Sequence, residues 1–149
     1  MADTGQQTLT VQQALDLAFR HHNAGRLSEA ERIYQQVLQG DPNQVDALHL
    51  LGVMAHQVGK NDIAVDLITK ALAIKPDYAE ASNNLGLALQ GMEKPDEAVA
   101  SYHKALAINP NYAEAWNNLG TAQQDQWRLI DATASYRKAI SIKPDYAQA

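Results

Sequence analysis

Apolar residues recur along this chain at the spacing of an α-helix, in stretches separated by short polar breaks. In the first stretch Ala14, Leu17 and Ala18 lie on one helical face. Comparable stretches begin near Val11, Val45, Ala79 and Ala113. Each is followed by a second helical stretch, which starts near Ser28, Asp62, Asp96 or Asp131. The pattern therefore predicts an all-α protein built from helical hairpins.

The same sequence returns every 34 residues, which sets the domain organisation. Residues 79–86 (Ala-Glu-Ala-Ser-Asn-Asn-Leu-Gly) reappear at 113–120 with only Ser82 replaced, by Trp116. The same interval separates the prolines Pro42, Pro76, Pro110 and Pro144. The period predicts a flexible tail at 1–7, four units within 8–146 (about 11–44, 45–78, 79–112 and 113–146), and the start of a fifth unit at 147–149. Such a repeat indicates a solenoid, in which each unit buries its apolar face against its neighbours.

Local signals predict where the helices begin and how they are joined. Ser28 and Glu31 have the spacing of a capping box, which places a helix N-terminus at Ser28. Gly25 occupies the turn between the two helices of the first unit, and glycine there often supplies a positive φ. Glu93 and Trp127 take that position in the last two units. If the turn keeps its shape, Trp127 is strained.

The residues at the repeated positions resemble the signature of the tetratricopeptide repeat family. In the fourth unit they are Trp116, Leu119, Gly120, Ala132, Tyr136, Ala139 and Pro144. In the third they are Leu85, Gly86, Ala98, Tyr102, Ala105 and Pro110, and in the second Leu51, Gly52, Ala64, Ala71 and Pro76. The first unit keeps Leu17, Ala30, Tyr34 and Pro42 but departs at Ala18 and Val37. The resemblance implies a right-handed superhelix whose first helices line a concave, protein-binding groove.

A narrower resemblance links the repeats to O-GlcNAc transferases. It rests on residues 83–86 (Asn-Asn-Leu-Gly), 96–99 (Asp-Glu-Ala-Val) and 109–115 (Asn-Pro-Asn-Tyr-Ala-Glu-Ala). Residues 18–31 and 47–52 resemble the N-terminal arms of bacterial proteins of that type. In those transferases a ladder of equivalent asparagines holds the backbone of an extended polypeptide. The resemblance implies this role for Asn84 and Asn118, whose amides can pair with any peptide unit.

The expected groove positions supply the candidate binding site. The candidate peptide-binding residues are Asp46, His49, His56, Glu80, Asn83, Asn84, Glu114, Asn117 and Asn118. None of the groove positions holds Lys or Arg, so the carboxylate clamp of some tetratricopeptide cochaperones is missing. The acidic residues instead favour a neutral or basic ligand. The alternative interpretation is that the asparagines are merely polar residues of the repeat consensus.

Charge and residue content argue against other classes of function. The net charge of −5 argues against binding to nucleic acid. The sequence contains no cysteine, no signal peptide and no apolar run of the roughly 20 residues that span a membrane, so a cytoplasmic protein is expected. Ser28 and Ser82 have no paired base, and we expect neither catalysis nor a cofactor. His22, His49 and His56 lie too far apart along the repeats for one metal ion.

Three functions remain open from the sequence. The leading one is a protein-interaction module that binds an extended polypeptide in its groove. The second is the non-catalytic, substrate-recruiting arm of a larger O-GlcNAc transferase-like enzyme. The third is a structural scaffold that stacks head to tail, because Ile130, Ala134 and Ile140 leave an apolar face on the last helix. This face predicts weak self-association through the ends.

Overall fold

The structure, a computed structural model, describes residues 9–144. Within this range the chain forms eight α-helices and no strand, which confirms the all-α fold. The helices are α1 (Val11–Asn23), α2 (Leu27–Gly40), α3 (Val45–Gln57), α4 (Asn61–Ile74), α5 (Ala79–Gly91), α6 (Pro95–Ile108), α7 (Ala113–Asp125) and α8 (Leu129–Ile142). The predicted tail at 1–7 and the start of a fifth unit at 147–149 lie outside the described residues.

Small residues allow the two helices of each unit to pack closely. A Cβ added to Gly52 would lie 2.6 Å from Cγ1 of Ile68, and one added to Gly120 would lie 2.7 Å from Cε1 of Tyr136. Neither distance is tolerated between carbon atoms, so only glycine permits this separation of the helices. Tyr102, the counterpart of Tyr136 in the third unit, is fully buried. Both tyrosine rings therefore pack against the glycine of the facing helix.

The hairpins stack into a solenoid with two layers. The backbones of successive first helices (α1, α3, α5 and α7) come close to one another, whereas those of the second helices (α2, α4, α6 and α8) do not within the described range. The layer whose helices lie closest together is on the inside of the curve, so the first helices form the inner layer and the second helices the outer layer. The core consists of separate clusters along the axis, as expected where each unit packs only on its neighbours.

The predicted capping box at Ser28 is wrong. Helix α2 begins two residues after the turn glycine, at Leu27, its N-cap is Arg26, and no side chain caps it. Ser28 thus lies inside the first turn. The structure places a capping box on α1 instead, where Gln13 N–H donates to Thr10 Oγ1 at 3.1 Å and Thr10 N–H donates to Gln13 Oε1 at 2.9 Å.

The turn between the inner and outer helix keeps one shape in all four units. Its φ is 79° at Gly25 and 83° at Gly59, and it stays positive at Glu93 (59°) and Trp127 (61°). The backbone N–H that follows reaches back five residues in each unit, for example from Arg128 to the Gln123 carbonyl at 2.9 Å. The strained backbone predicted for Trp127 is therefore present. Its indole is 86% exposed.

None of the helices in residues 9–144 is both long enough and apolar enough to cross a membrane.

Candidate functional site

The inner layer carries a row of carboxylates on its exposed surface. Asp46, Glu80 and Glu114 occupy equivalent positions in the first turns of α3, α5 and α7, and all three are exposed. The ion pairs found in residues 9–144 involve none of them. A second row contains Phe19, which is 46% exposed, and the half-buried Val53 and Leu87. The surface thus combines unpaired negative charge with a discontinuous apolar strip.

A chain of hydrogen bonds connects the second unit with the third. Asn84 Nδ2 donates to His49 Nε2 at 2.9 Å, and His49 Nδ1 lies 2.9 Å from the Tyr78 hydroxyl. The Tyr78 hydroxyl donates to Asp46 Oδ1 at 3.4 Å. Because Nε2 accepts, the imidazole is neutral with its proton on Nδ1, and all donors point one way along the chain.

The same arrangement recurs between the third and fourth units. Asn118 Nδ2 donates to Asn83 Oδ1 at 3.0 Å, and Asn83 Nδ2 lies 3.4 Å from the Tyr112 hydroxyl. Asn83 stands 34 residues after His49, so an amide here does the work of the imidazole. In both cases the asparagine of the ladder donates to a buried side chain of the preceding inner helix.

A second set of bonds joins the inner helices near their C-terminal ends. His22 Nε2 and Gln57 Oε1 are 2.6 Å apart across the first and second units. Gln90 Nε2 donates to Asp125 Oδ2 at 3.2 Å across the third and fourth. These contacts are between residues 35 apart, as are those of Asn84 and Asn118. We call all four inner rungs, because each connects two successive inner helices.

Burial controls the protonation of this network. It lowers the pKa of His49 to about 4, because the charged imidazolium loses its hydration, and the nearby Asp46 carboxylate only partly offsets this. Burial and the same carboxylate raise the pKa of Tyr78 well above its usual range. Both groups are therefore neutral near pH 7, which is the state that their hydrogen bonds require.

The structure corrects the placement of two predicted groove residues. Asn83 is fully buried and His49 is only 2% exposed, so neither lies on the groove surface. Their side chains lie between successive inner helices and accept the rung hydrogen bonds. The ladder residues Asn84 and Asn118 are half-buried, as is Asn117.

The imidazole of His56 is directed towards its own hairpin. His56 Nδ1 lies 2.6 Å from Asn61 Oδ1 at the start of α4. Asp46, Glu80 and Glu114 are thus the members of the predicted set that remain exposed. Peptide binding by the set stays a prediction.

Tyr78 and Tyr112 belong to the network but are not among the site residues predicted from the sequence. Each precedes an inner helix and contributes its hydroxyl to the buried network. Their recurrence at the 34-residue interval was a usable signal, since an aromatic residue in an inter-unit turn needs a packing partner and its hydroxyl needs a hydrogen-bond partner.

The histidines are not arranged as a metal site. Within the described residues no group of three or more His, Asp or Glu side chains is placed to hold one ion. His22, His49 and His56 instead bond to Gln57, Tyr78 and Asn61, respectively.

Models of the tetratricopeptide repeat match residues 15–79, 79–112 and 101–132. The chain belongs to the tetratricopeptide repeat family. The matches span units one to four, and they confirm the family resemblance drawn from the repeated positions. No curated protein sequence matches the chain.

Solved structures of MamA share the fold. A crystal structure of MamA is 24% identical, with a TM-score of 0.82 over 94% of this chain and 82% of that one. MamA AMB-1 is 26% identical, with a TM-score of 0.76 over 91% and 79%. A MamA RS-1 ArsTM double mutant is 20% identical, with a TM-score of 0.82 over 91% and 76%. The likeness supports the tetratricopeptide solenoid fold.

Proposed function

We propose that the inner face of this solenoid binds an extended polypeptide segment with basic residues. The observation that carries the proposal is the row of exposed carboxylates Asp46, Glu80 and Glu114, one in each of three successive units. Carboxylates without a cationic partner on a concave surface concentrate negative potential, which attracts a positively charged ligand.

The apolar strip supplies the remaining contact area. Phe19 stands exposed on α1, and Val53 and Leu87 continue its row through the next two units. Successive side chains of an extended strand point in opposite directions. Alternate side chains of a ligand can therefore contact the acidic row and the apolar row. The ligand class is thus a segment that mixes Lys or Arg with apolar residues.

The amides of Asn84 and Asn118 can add backbone contacts through their oxygens. Their Nδ2 atoms are used within the chain, but neither Oδ1 accepts a hydrogen bond from another described residue. An amide oxygen can accept from a peptide N–H of the ligand. This is a narrower role than the ladder inferred from the transferase resemblance, which used both donor and acceptor.

The test is a calorimetric titration of an extended peptide that alternates Lys with Leu, against the same peptide with Gln in place of Lys. The double variant Glu80→Gln, Glu114→Gln should weaken binding of the Lys peptide about tenfold, because two surface charge contacts are lost. Its affinity for the Gln peptide should hardly change.

The control is Glu97→Gln on α6. Glu97 is exposed in the first turn of an outer helix, so its removal changes the net charge without touching the inner face. If Glu97→Gln weakened binding of the Lys peptide equally, the loss of affinity would come from the change in net charge and not from the inner face. No binding of either peptide would contradict the proposal. A role as the non-catalytic arm of a transferase, and a cytoplasmic location, stay predictions.

A further inference from the structure

Comparison of equivalent positions in the four units shows three exposed positions at which one unit differs in residue type from the others. Ile63 stands where the other units have Glu29, Glu97 and Asp131, and Ile130 stands where they have Ser28, Asp62 and Asp96. Trp127 replaces Gly25, Gly59 and Glu93. Each change puts an apolar side chain at a position where the other units have a polar or charged residue or glycine.

Two of these residues form a protrusion on the fourth unit. Trp127 is 86% exposed and Ile130, in the first turn of α8, is 88% exposed. Trp127 also holds a left-handed backbone that glycine would adopt without strain. An indole kept exposed at a strained position has no folding benefit, which points to contact with another molecule. We call Trp127 and Ile130 the knob.

The third residue borders an apolar cavity between the first two units. The cavity has a volume of about 310 Å³ and is lined mainly by Leu27, Leu51, Met54, Val58, Ile63 and Leu67. It is open because Glu31 takes the position at which Val65 and Val99 pack against the core in the next two units. This volume can accept a large aromatic side chain. We call this cavity the hole.

We propose that two copies of this chain associate edge to edge, with the knob of each inserted in the hole of the other. Trp127 lies in the turn between α7 and α8, and Val58 lies at the corresponding turn between α3 and α4. The turns of a stacked solenoid follow one edge, so knob and hole lie on the same edge at opposite ends. A two-fold axis between antiparallel edges then makes both contacts at once and closes the assembly.

The charges around knob and hole fit this arrangement. Arg128 is adjacent to Trp127, and the hole is bordered by one carboxylate, Glu31, and one ammonium group, Lys60. Arg128 can therefore pair with Glu31 if it approaches the α2 side of the hole, away from Lys60. Arg128 pairs with Asp131 in the single chain, at 2.7 Å and on an exposed surface. Exposed pairs of this kind are weak and exchange partners readily. The contact does not involve the inner face and is independent of the proposed peptide binding.

The experiment is sedimentation equilibrium of the full chain over a wide concentration range, with two variants that copy residues from sister units. Trp127→Glu reproduces Glu93, and Ile63→Glu reproduces Glu29 and Glu97, so both should fold. The wild type should reach twice the monomer mass. Each variant should raise the dissociation constant at least about tenfold, since an anchor residue is lost from the centre of the contact.

Mixing the two variants gives the sharpest result. The intact knob of Ile63→Glu fits the intact hole of Trp127→Glu, so the mixture regains one contact that neither variant can form alone. It should therefore dimerise more strongly than either component. In a Trp116→Phe background, the emission of Trp127 should shift to shorter wavelength as the dimer forms.

Three outcomes would overturn the proposal. They are a wild type that stays monomeric throughout, a Trp127→Glu variant that associates like the wild type, and a mixture no stronger than its components. Ile140→Lys separates the edge contact from head-to-tail stacking, because Ile140 lies towards the far end of α8, is 37% exposed and takes no part in knob or hole. Association that is lost with Ile140→Lys but kept with Ile63→Glu would assign it to the ends instead.

Discussion

At the scale of single residues, the chain keeps two side chains that folding alone does not favour. Trp127 adopts φ 61° with its ring in solvent, and His49 is buried with its pKa lowered to about 4. Each has a more favourable residue at an equivalent position, glycine at 25 and 59 and asparagine at 83. Substitutions that copy the equivalent residue of another unit therefore measure how much each side chain lowers the free energy of unfolding.

Replacing Trp127 with glycine should stabilise the fold. The left-handed backbone costs a non-glycine residue about 1–2 kcal/mol, and the greater entropy of glycine in the unfolded chain cancels part of the gain. We expect Trp127→Gly to raise the free energy of unfolding by about 1 kcal/mol in urea denaturation at low protein concentration. Glu93→Gly, at φ 59°, should give a similar gain. A loss of stability in both variants would show that the turn is not strained.

His49 should make the protein lose stability as the pH falls. Its folded pKa of about 4 lies below the unfolded value near 6.5, so below pH 6.5 the unfolded chain binds the proton that the folded chain excludes. The stabilisation is complete above about pH 6.5 and is lost progressively towards pH 4, by up to about 3 kcal/mol. His49→Asn copies Asn83 and should make the free energy of unfolding, measured by urea denaturation at several pH values, depend less on pH. The same pH dependence of the free energy of unfolding in both proteins would contradict the assignment of this effect to His49.

At the scale of helices, the inner rungs hold one unit on the next. Asn84 and Asn118 each donate to a buried acceptor on the preceding inner helix. A buried acceptor without its donor costs about 1–3 kcal/mol, which is more than an exposed amide would contribute. The asparagine ladder thus has a structural function whether or not it also binds a ligand.

Removing both ladder amides should destabilise the solenoid. The double variant Asn84→Ala, Asn118→Ala should lower the free energy of unfolding by about 2–4 kcal/mol, with a fall in melting temperature. If both amides lay free on the groove surface, the free energy of unfolding would hardly change. Asn117→Ala is the matched control, since the Asn117 side chain makes no hydrogen bond to the described residues. A double variant as stable as the control would restore the exposed-ladder interpretation.

Periodicity explains which features the sequence could predict. The four units, their inner helices at Val11, Val45, Ala79 and Ala113, and the packing glycines all follow from repetition, which samples each position several times. The burial of His49 and Asn83 could not be predicted in this way. A side chain at the side of an inner helix can point into the groove or pack against the next unit. Which of the two it does depends on a partner such as Tyr78, which lies 29 residues away from His49. The prediction of a capping box at Ser28 was wrong because it used only the Ser28–Glu31 spacing. The turn at Gly25 makes Arg26 the N-cap and starts the helix at Leu27.

At the scale of the molecule, the four units are not joined equally. The contact between the first and second units contains the hole, and Glu31 faces it where valines pack in later units. The third and fourth units share the largest described core cluster together with the rungs from Asn118 and Gln90. Stability in a solenoid is a sum of unit and interface terms, so the first unit should open most readily.

Filling this gap should couple the first unit to the rest. Glu31→Val copies Val65 and Val99, and its burial against Leu51 and Met54 should stabilise α1 and α2 by about 1 kcal/mol. Hydrogen exchange should slow in these two helices and hardly change in α7 and α8. Glu97→Val adds the same side chain on an exposed surface and should give no gain. Equal protection of α1 in the wild type and Glu31→Val would show that the cavity does not weaken this interface.

The unequal layers also determine how the solenoid responds to a pulling force. Its inner helices are tied by short directional bonds, whereas within residues 9–144 the backbones of the outer helices do not come close to one another. Straightening the array must therefore break the rungs, whereas each outer helix can stay packed on the inner helix of the next unit. Extension should proceed in discrete steps, one interface at a time, beginning beside the hole, where the described residues join the first and second units by a single rung, His22–Gln57. The chain is in this sense a spring whose stiffness is set by a few amide and imidazole groups along its inner curve.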